Sequence, residues 1–249
     1  MSRVKGTTPP GAQTEQEAAA WVRRMFGRVA RRYDLLNHLL SLQADRWWRY
    51  RTALEVEPFL RRPQARVLDL CCGTGDLTLA LERRAAPGAL LAGGDFCRPM
   101  LEEARRKQLA RGSRICLLEC DGLELPLPDR SLDLVTIAFG FRNFANYRAA
   151  LAELRRVLKP GGMLAILEFS TPPNPVVRAL YRFYSGRFLP ALGGWISGDR
   201  SAYTYLPDSV RKFPGAEELA AEMEAAGFTR VRFRRMTFGI VALHTGLSG

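Results

Sequence analysis

Hydrophobic and polar positions follow two rhythms along this chain, and the changes between them mark its elements. Val67, Leu68 and Leu70 form a short apolar run between Pro63 and Gly73, the pattern of a buried strand. Past the Gly73–Gly75 turn, Leu77, Leu79, Ala80 and Leu81 fit an amphipathic helix over 76–84, with Asp76 as cap or first-turn acid. The alternation continues with strand 89–94, helix 98–111, strands 115–119 and 133–138, helix 146–158 and strand 163–169. Strands separated by helices at this spacing predict a parallel sheet covered on both faces. Lys159-Pro160-Gly161-Gly162 stops a helix and turns the chain into the Met163–Phe169 strand. Helix 215–226 and strands 229–235 and 237–245 follow, the last two as an antiparallel edge hairpin. The expected fold is α/β, a doubly wound, mostly parallel seven-stranded sheet.

The flanks behave differently. Residues 1–13, rich in Thr, Pro and Gly, read as disordered. In 14–32, Trp21, Val22, Met25, Phe26 and Val29 recur at helical spacing with arginines on the other face. A helix packed on the domain is preferred there over a membrane-contacting one, although basic amphipathic helices do both. It begins an N-terminal helical extension, 14–60, ahead of a domain over 61–249. Residues 171–214 form a cap insertion, with Thr171-Pro172-Pro173-Asn174-Pro175 leading into an aromatic, apolar and basic stretch that reaches Trp195-Ile196. Such a stretch suits a cover over the sheet's carboxyl edge, where an apolar substrate needs shelter.

Composition narrows the classes. The 249 residues suffice for a large core, and no apolar run is long enough to span a bilayer. Residues 1–16 lack the apolar segment of a secretory signal. Five cysteines, with Cys71 and Cys72 adjacent, do not suggest a disulfide framework. With only His38 and His244 beside them, no zinc site or other metal is expected, and a reduced cytoplasm fits. The net charge of +12 favours anionic partners, nucleic acid or an acidic membrane surface. Thirty-three of the 37 basic residues are arginine, a skew that a GC-rich genome also produces. The charge therefore permits such partners without identifying one.

The glycine turn after the first strand is the candidate ligand loop. A dinucleotide fingerprint would place a third glycine at Thr78, and no Gly-Lys-Ser/Thr follows, which leaves a nucleoside without a phosphate chain. Asp95 closes the next strand twenty positions beyond Gly75, where a carboxylate can accept from both ribose hydroxyls. Taken alone, Gly-x-Gly is as often a packing turn. Loop and acid together resemble those of class I methyltransferases, a Rossmann-like fold that binds S-adenosylmethionine.

Further motifs sharpen the resemblance. Tyr33-Asp34-x-x-Asn37-x-x-x-Ser41 with Trp48, and Arg156-Val157-Leu158-Lys159-Pro160-Gly161-Gly162 running to Glu168-Phe169-Ser170, resemble two signatures of the demethylmenaquinone and polyprenyl-benzoquinol C-methyltransferases. Asp121–Val135, Phe139–Asn143 and Tyr203-x-Tyr205-Leu206-x-x-Ser209-x-x-x-Phe213-Pro214 fit as well, so the similarity covers roughly residues 20–246. The resemblance implies methyl transfer from S-adenosylmethionine to a ring carbon of a lipophilic polyprenyl quinol. Demethylmenaquinol is favoured, with a benzoquinol as the alternative. On the donor side it implies Asp69, Gly73, Thr74, Gly75, Asp95, Asp121 and Gly122. Thr74 would meet the methionine portion, Asp95 the ribose and Asp121 the adenine amino group, with Asp69 bracing the loop. On the acceptor side, Arg142 and Asn143 would hold the quinol oxygens and a proton-accepting water. Tyr33 and Asp34, with Asn37 and Tyr203, are second candidates. The prenyl tail would lie along 176–196, which implies a cytoplasmic enzyme visiting the membrane surface. A homodimer is compatible with all of this. The chain departs from the family pattern at Asp45 (usually His), Gln43 (Gly), Leu36 (Met) and Ala138 (often Ser).

Rivals from other classes fare worse. Base amino-methylation calls for Asn/Asp-Pro-Pro-Tyr/Phe after the fourth strand, where this chain has Ala138-Phe139-Gly140-Phe141, and no Pro-Cys is present for cytosine carbon-5 chemistry. No nucleic-acid partner is expected. A non-catalytic module of the same fold is disfavoured by the intact donor loop and Asp95.

Overall fold

Seven strands form one sheet: β1 Arg66–Leu70, β2 Leu90–Asp95, β3 Cys116–Glu119, β4 Leu132–Ala138, β5 Leu158–Phe169, β6 Phe228–Met236 and β7 Val241–Ser248. This is a computed structural model that describes residues 6–188 and 200–249, with the side chains of 188 and 200–204 outside the description. The strand order is β3-β2-β1-β4-β5-β7-β6. β1 to β5 pair in parallel, and β7 runs antiparallel to both β5 and β6. The order reverses beside β1, so the carboxyl ends of β1, β2 and β4 flank the switch point where ligands of such sheets bind.

Alternate strand residues feed two cores. Leu68, Leu70, Val135, Ile137, Leu164 and Ile166 pack against α7 (Tyr147–Val157) and α10 (Ala216–Ala225). Val67, Leu134, Ala165 and Leu167 face the opposite side, against α3 (Ala44–Glu55) and α5 (Asp76–Glu82). Both faces are therefore dry, which is why the central strands read as continuous apolar runs.

The N-terminal extension comprises α1 (Glu15–Val29), α2 (Tyr33–Leu40), α3 and α4 (Glu57–Leu60). Thr14 and Glu17 form a reciprocal cap at the start of α1, and Ala18, Val22, Met25 and Val29 are its buried face. These residues join Leu36, Leu40, Met100 of α6 (Arg98–Ala110) and Tyr205 in a third cluster. Gln43, where the family pattern has glycine, sits at φ 66°, the left-handed region that glycine favours.

Three boundaries depart from expectation: β5 already starts at Leu158 and not at Met163, so Lys159–Gly162 lie within the strand, and two others lie nearer the ends of the chain. Residues 1–5 lie outside the described part, but from Gly6 onward the stretch expected to be disordered is tethered. The Thr7 amide donates to the Phe144 carbonyl at 2.8 Å and its hydroxyl lies 2.7 Å from that of Tyr205. Composition carries no sign of these partners. The last strand starts at Val241, not 237, because Thr237–Gly239 turns a corner with Phe238 at φ 57°. The Thr237 hydroxyl is taken there by Trp48 Nε1 at 2.8 Å.

In the cap, Asn174 accepts from the amides of Val176 and Val177 and so starts α8 (Pro175–Phe183). α9 (Arg200–Lys212) returns the chain to the domain. Residues 189–199, including the Leu189, Leu192, Trp195 and Ile196 assigned to the cap, lie outside the described part, as does the Tyr203 side chain.

Candidate active site

Two cavities meet at the carboxyl edge of the sheet, and the loop after β4 runs between them. Gly140 lets that loop lie against the loop after β1, since a Cβ there would sit 2.3 Å from Cys71 Cβ. Cys71 and Phe139 adopt φ 55° and 59° without being glycine. Strain of this kind, about 1–3 kcal/mol per residue, collects where geometry serves a site.

The first cavity is a narrow crevice lined by Asp95, Phe96, Asp121, Gly122, Asn143 and Phe144, among others. Gly73 N donates to Asp95 Oδ2 at 2.8 Å and Cys97 N to Oδ1 at 2.9 Å, so Asp95 pins the glycine loop while lining the crevice. Burial pushes its pKa up to about 6. Asp121 is exposed at the rim, with Oδ1 accepting from Leu123 N at 2.9 Å. Gly122 must lack a side chain, because a Cβ would come within 2.6 Å of the Phe144 ring.

Asp69 does not open onto this crevice. Its oxygens accept from Thr78 at 2.6 Å and Thr136 at 2.7 Å, tying α5 to β4, and burial raises its pKa to about 6. Thr74 and Asp34 share a hydrogen bond, and Lys107 Nζ lies 3.0 Å from Thr74 Oγ1 and 2.6 Å from both Asp34 Oδ2 and Asp76 Oδ1. Asp34 was expected on the acceptor side and belongs instead to the donor loop, where Lys107 draws it. From Asp76 the polar chain passes through His38 to Asp45, which also accepts from Ser41 and pairs with Arg49.

The second cavity, of about 320 Å³, is mostly apolar and lies under the N-terminal helices and the cap. Tyr33, Trp48, Phe139, Phe169, Tyr181 and Tyr205 form much of its wall. Two buried cations line it, Arg49, which pairs with Asp45, and Arg142. Glu168 Oε1 accepts from Arg142 Nη1 at 3.0 Å, Glu168 Oε2 accepts from the Arg142 amide at 3.2 Å, and the Phe139 carbonyl takes a further bond from Nη1. The guanidinium also lies 5.4 Å from the Phe169 ring centroid, while Arg142 Nε is buried without a partner. Burial works against the charge on both members of the pair. Glu168 is raised for that reason, whereas for Arg142 burial is outweighed by the Glu168 carboxylate acting together with Tyr33 and Tyr205, so the guanidinium is raised and stays cationic. Burial likewise raises Tyr33, which hydrogen-bonds Asn37.

Asn143 lines the crevice, not the second cavity, and its Oδ1 accepts from the Tyr205 hydroxyl at 3.0 Å. Adjacent residues of one loop thus face different cavities. Three contributors were not among the expected site residues: Lys107, and Glu168 and Tyr205, which the sequence reading quoted only within family motifs. For Glu168 a signal existed, since it is the single acid in the apolar Met163–Phe169 strand, and a buried acid needs a cation.

Solved structures share this architecture. A SAM-dependent methyltransferase from Aquifex aeolicus aligns with a TM-score of 0.59 at 20% identity, covering 80% of this chain and 89% of that one. The [4+2]-cyclase SpnF reaches 0.64 at 20% identity over 96% and 80%. The fold is that of the class I methyltransferases. Sequence similarity goes further. The ubiE/COQ5 methyltransferase family model matches residues 12–248. A demethylmenaquinone methyltransferase of Thermus thermophilus is 55% identical over 222 residues, 89% of this chain and 99% of that protein. One from Deinococcus radiodurans is 47% identical over 95% and 96%. The chain belongs to the ubiE/COQ5 methyltransferase family and is an S-adenosylmethionine-dependent methyltransferase. The crevice suits that donor: a buried carboxylate beside a glycine loop, an acid at the rim and an aromatic wall where Phe144 packs against Gly122.

Proposed function

We propose that this enzyme methylates a ring carbon of demethylmenaquinol to give menaquinol, with Arg142 as the residue that binds and orients the quinol. The observation that carries the reading is the Arg142–Glu168 pair, a fixed buried cation in an aromatic cavity one loop away from the donor crevice. Similarity to demethylmenaquinone methyltransferases supports the naphthoquinol head group.

Bound S-adenosylmethionine supplies a sulfonium-activated methyl group, so the leaving group needs no acid. Asp95 would take the ribose hydroxyls, Asp121 the adenine amino group, and Thr74, braced by Asp34 and Lys107, the methionine portion. On the acceptor side the ring carbon becomes nucleophilic when a neighbouring hydroxyl loses its proton. Arg142 would hold that oxygen as it gains negative charge, and a water beside it would accept the hydroxyl proton. Once the new C–C bond has formed, the hydrogen on the methylated carbon leaves as a proton and the oxygen is reprotonated, which restores the aromatic quinol with net release of one proton. Tyr33, neutral because its pKa is raised, can donate to the second quinol oxygen. Glu168 keeps the guanidinium from rotating, and Asn143, fixed by Tyr205, keeps the partition in place. Holding carbon and methyl in line supplies much of the rate. The tail would leave toward the cap, and the enzyme would work from the cytoplasm with transient contact at the membrane's inner face. Among the described residues no helix is long and apolar enough to cross a membrane.

The test is a paired assay with methyl-labelled donor and reduced naphthoquinol and benzoquinol acceptors of equal tail length. A kcat/KM at least about tenfold higher for the naphthoquinol is expected. A preference for the benzoquinol would move the enzyme to ubiquinone biosynthesis.

A further inference from the structure

Helix α8 is built inside out. Val176 and Leu180, one turn apart, are each 65% exposed, and no residue of the helix is buried. Arg178, Tyr181 and Arg182 lie about half a turn around the axis and line a cavity of about 660 Å³ between α8, α9 and the Ser170–Pro172 turn. A helix on a water-facing surface normally does the reverse.

That cavity is made for an anion. Arg178, Arg182 and Arg211 line it, and among the described residues no carboxylate does. The Ser170 hydroxyl, on a residue only 5% exposed, and Arg178 Nε are both buried without hydrogen-bond partners. The cavity also shares Tyr181, Ser185, Pro207 and Val210 with the acceptor cavity, so the two are continuous along one wall.

We propose that α8 docks the enzyme on an anionic phospholipid surface, with Val176 and Leu180 in the acyl boundary and Arg178 and Arg182 on lipid phosphates beside the acceptor cavity. A helix sunk to its midline places cations of its opposite face at phosphate depth. The docking deepens the quinol reading by naming the surface from which the acceptor is drawn. It rests on that reading for its purpose, not for its geometry.

Vesicle flotation tests it. The full chain is expected to float with phosphatidylcholine vesicles containing about one-third phosphatidylglycerol, far less with phosphatidylcholine alone, and less as salt rises. Leu180→Glu and Arg182→Glu should each lower the bound fraction about tenfold while keeping the melting temperature and the turnover of a short-tailed, detergent-soluble quinol. The proposal is overturned if the wild type stays unbound, if both variants bind like it, or if they lose short-tailed turnover. Displacement by inorganic phosphate but not by chloride of equal ionic strength would mark a soluble-phosphate site and overturn it too. Failed flotation with intact methylation would sink the docking alone. Flotation without methylation of any quinol would sink the acceptor reading alone.

Discussion

Arg142→Ala should lower kcat by about 10²–10⁴-fold while leaving the affinity for S-adenosylmethionine within about threefold of wild type. The asymmetry follows from the proposed partition, because Arg142 lines the apolar cavity while its neighbour Asn143 lines the crevice beside Asp95. Stability should fall as well, by about 3–5 kcal/mol, because Glu168, 1% exposed, would lose the cation that compensates its burial. A double variant, Arg142→Met with Glu168→Leu, separates the two effects. Removing both charges should restore most of the melting temperature and none of the turnover. Glu168→Gln alone should keep donor affinity but raise KM for the quinol and lower kcat, as expected when a positioning partner is lost. Arg142→Ala with normal turnover would remove the residue from the reaction.

Asp95→Ala should weaken donor binding by about 100-fold or more. It deletes the acceptor proposed for the ribose and the anchor that Gly73 and Cys97 donate to, and hydrogen bonds to a charged group contribute roughly 1.5–3 kcal/mol each. Acid should act in the same direction. With its pKa at about 6 in the folded protein, Asp95 takes up a proton as pH falls through that value, and donor affinity measured by calorimetry should decline there. Asp95→Asn should bind weakly with a flat profile. Stability runs the opposite way. Because burial raises Asp95 and Asp69 above the ordinary value of 3.8 to about 6, the folded state binds more protons across that interval. Their contribution to stability is fully present below the ordinary value and is lost as pH rises through about 6. Asp69 titrates in the same range, but its oxygens are held by Thr78 and Thr136, so the Asn variant at position 95 isolates the crevice.

The sheet was legible in the sequence because strands dry on both faces leave runs such as Val67–Leu70 and Ala165–Leu167 that few other environments tolerate. The glycine turn after β1 was legible for a related reason, since Gly73 at φ 54° and Gly75 at φ 83° occupy backbone conformations that other residues resist. Pairings across the chain were not. Asp34 and Lys107 are far apart in sequence, and nothing near Asp34 reveals that a lysine on α6 turns it toward Thr74. The tether between Thr7 and Tyr205 spans 198 positions, so nothing in the local composition around Thr7 announces it. Corner geometry was hidden too: Phe238 takes φ 57° between Thr237 and Gly239, and the Trp48 ring that donates to the Thr237 hydroxyl lies 189 positions away.

The central claim is that one loop, Phe139–Asn143, separates a donor crevice from a quinol cavity and presents each ligand to the other across it. The most direct measurement is a crystal structure with the demethylated donor product and a short-tailed naphthoquinone bound together. The account predicts the ribose on Asp95 and the quinone oxygen on Arg142, with the acceptor carbon facing the sulfur. A quinone bound outside the Arg142 cavity, or a nucleoside away from Asp95, would contradict it.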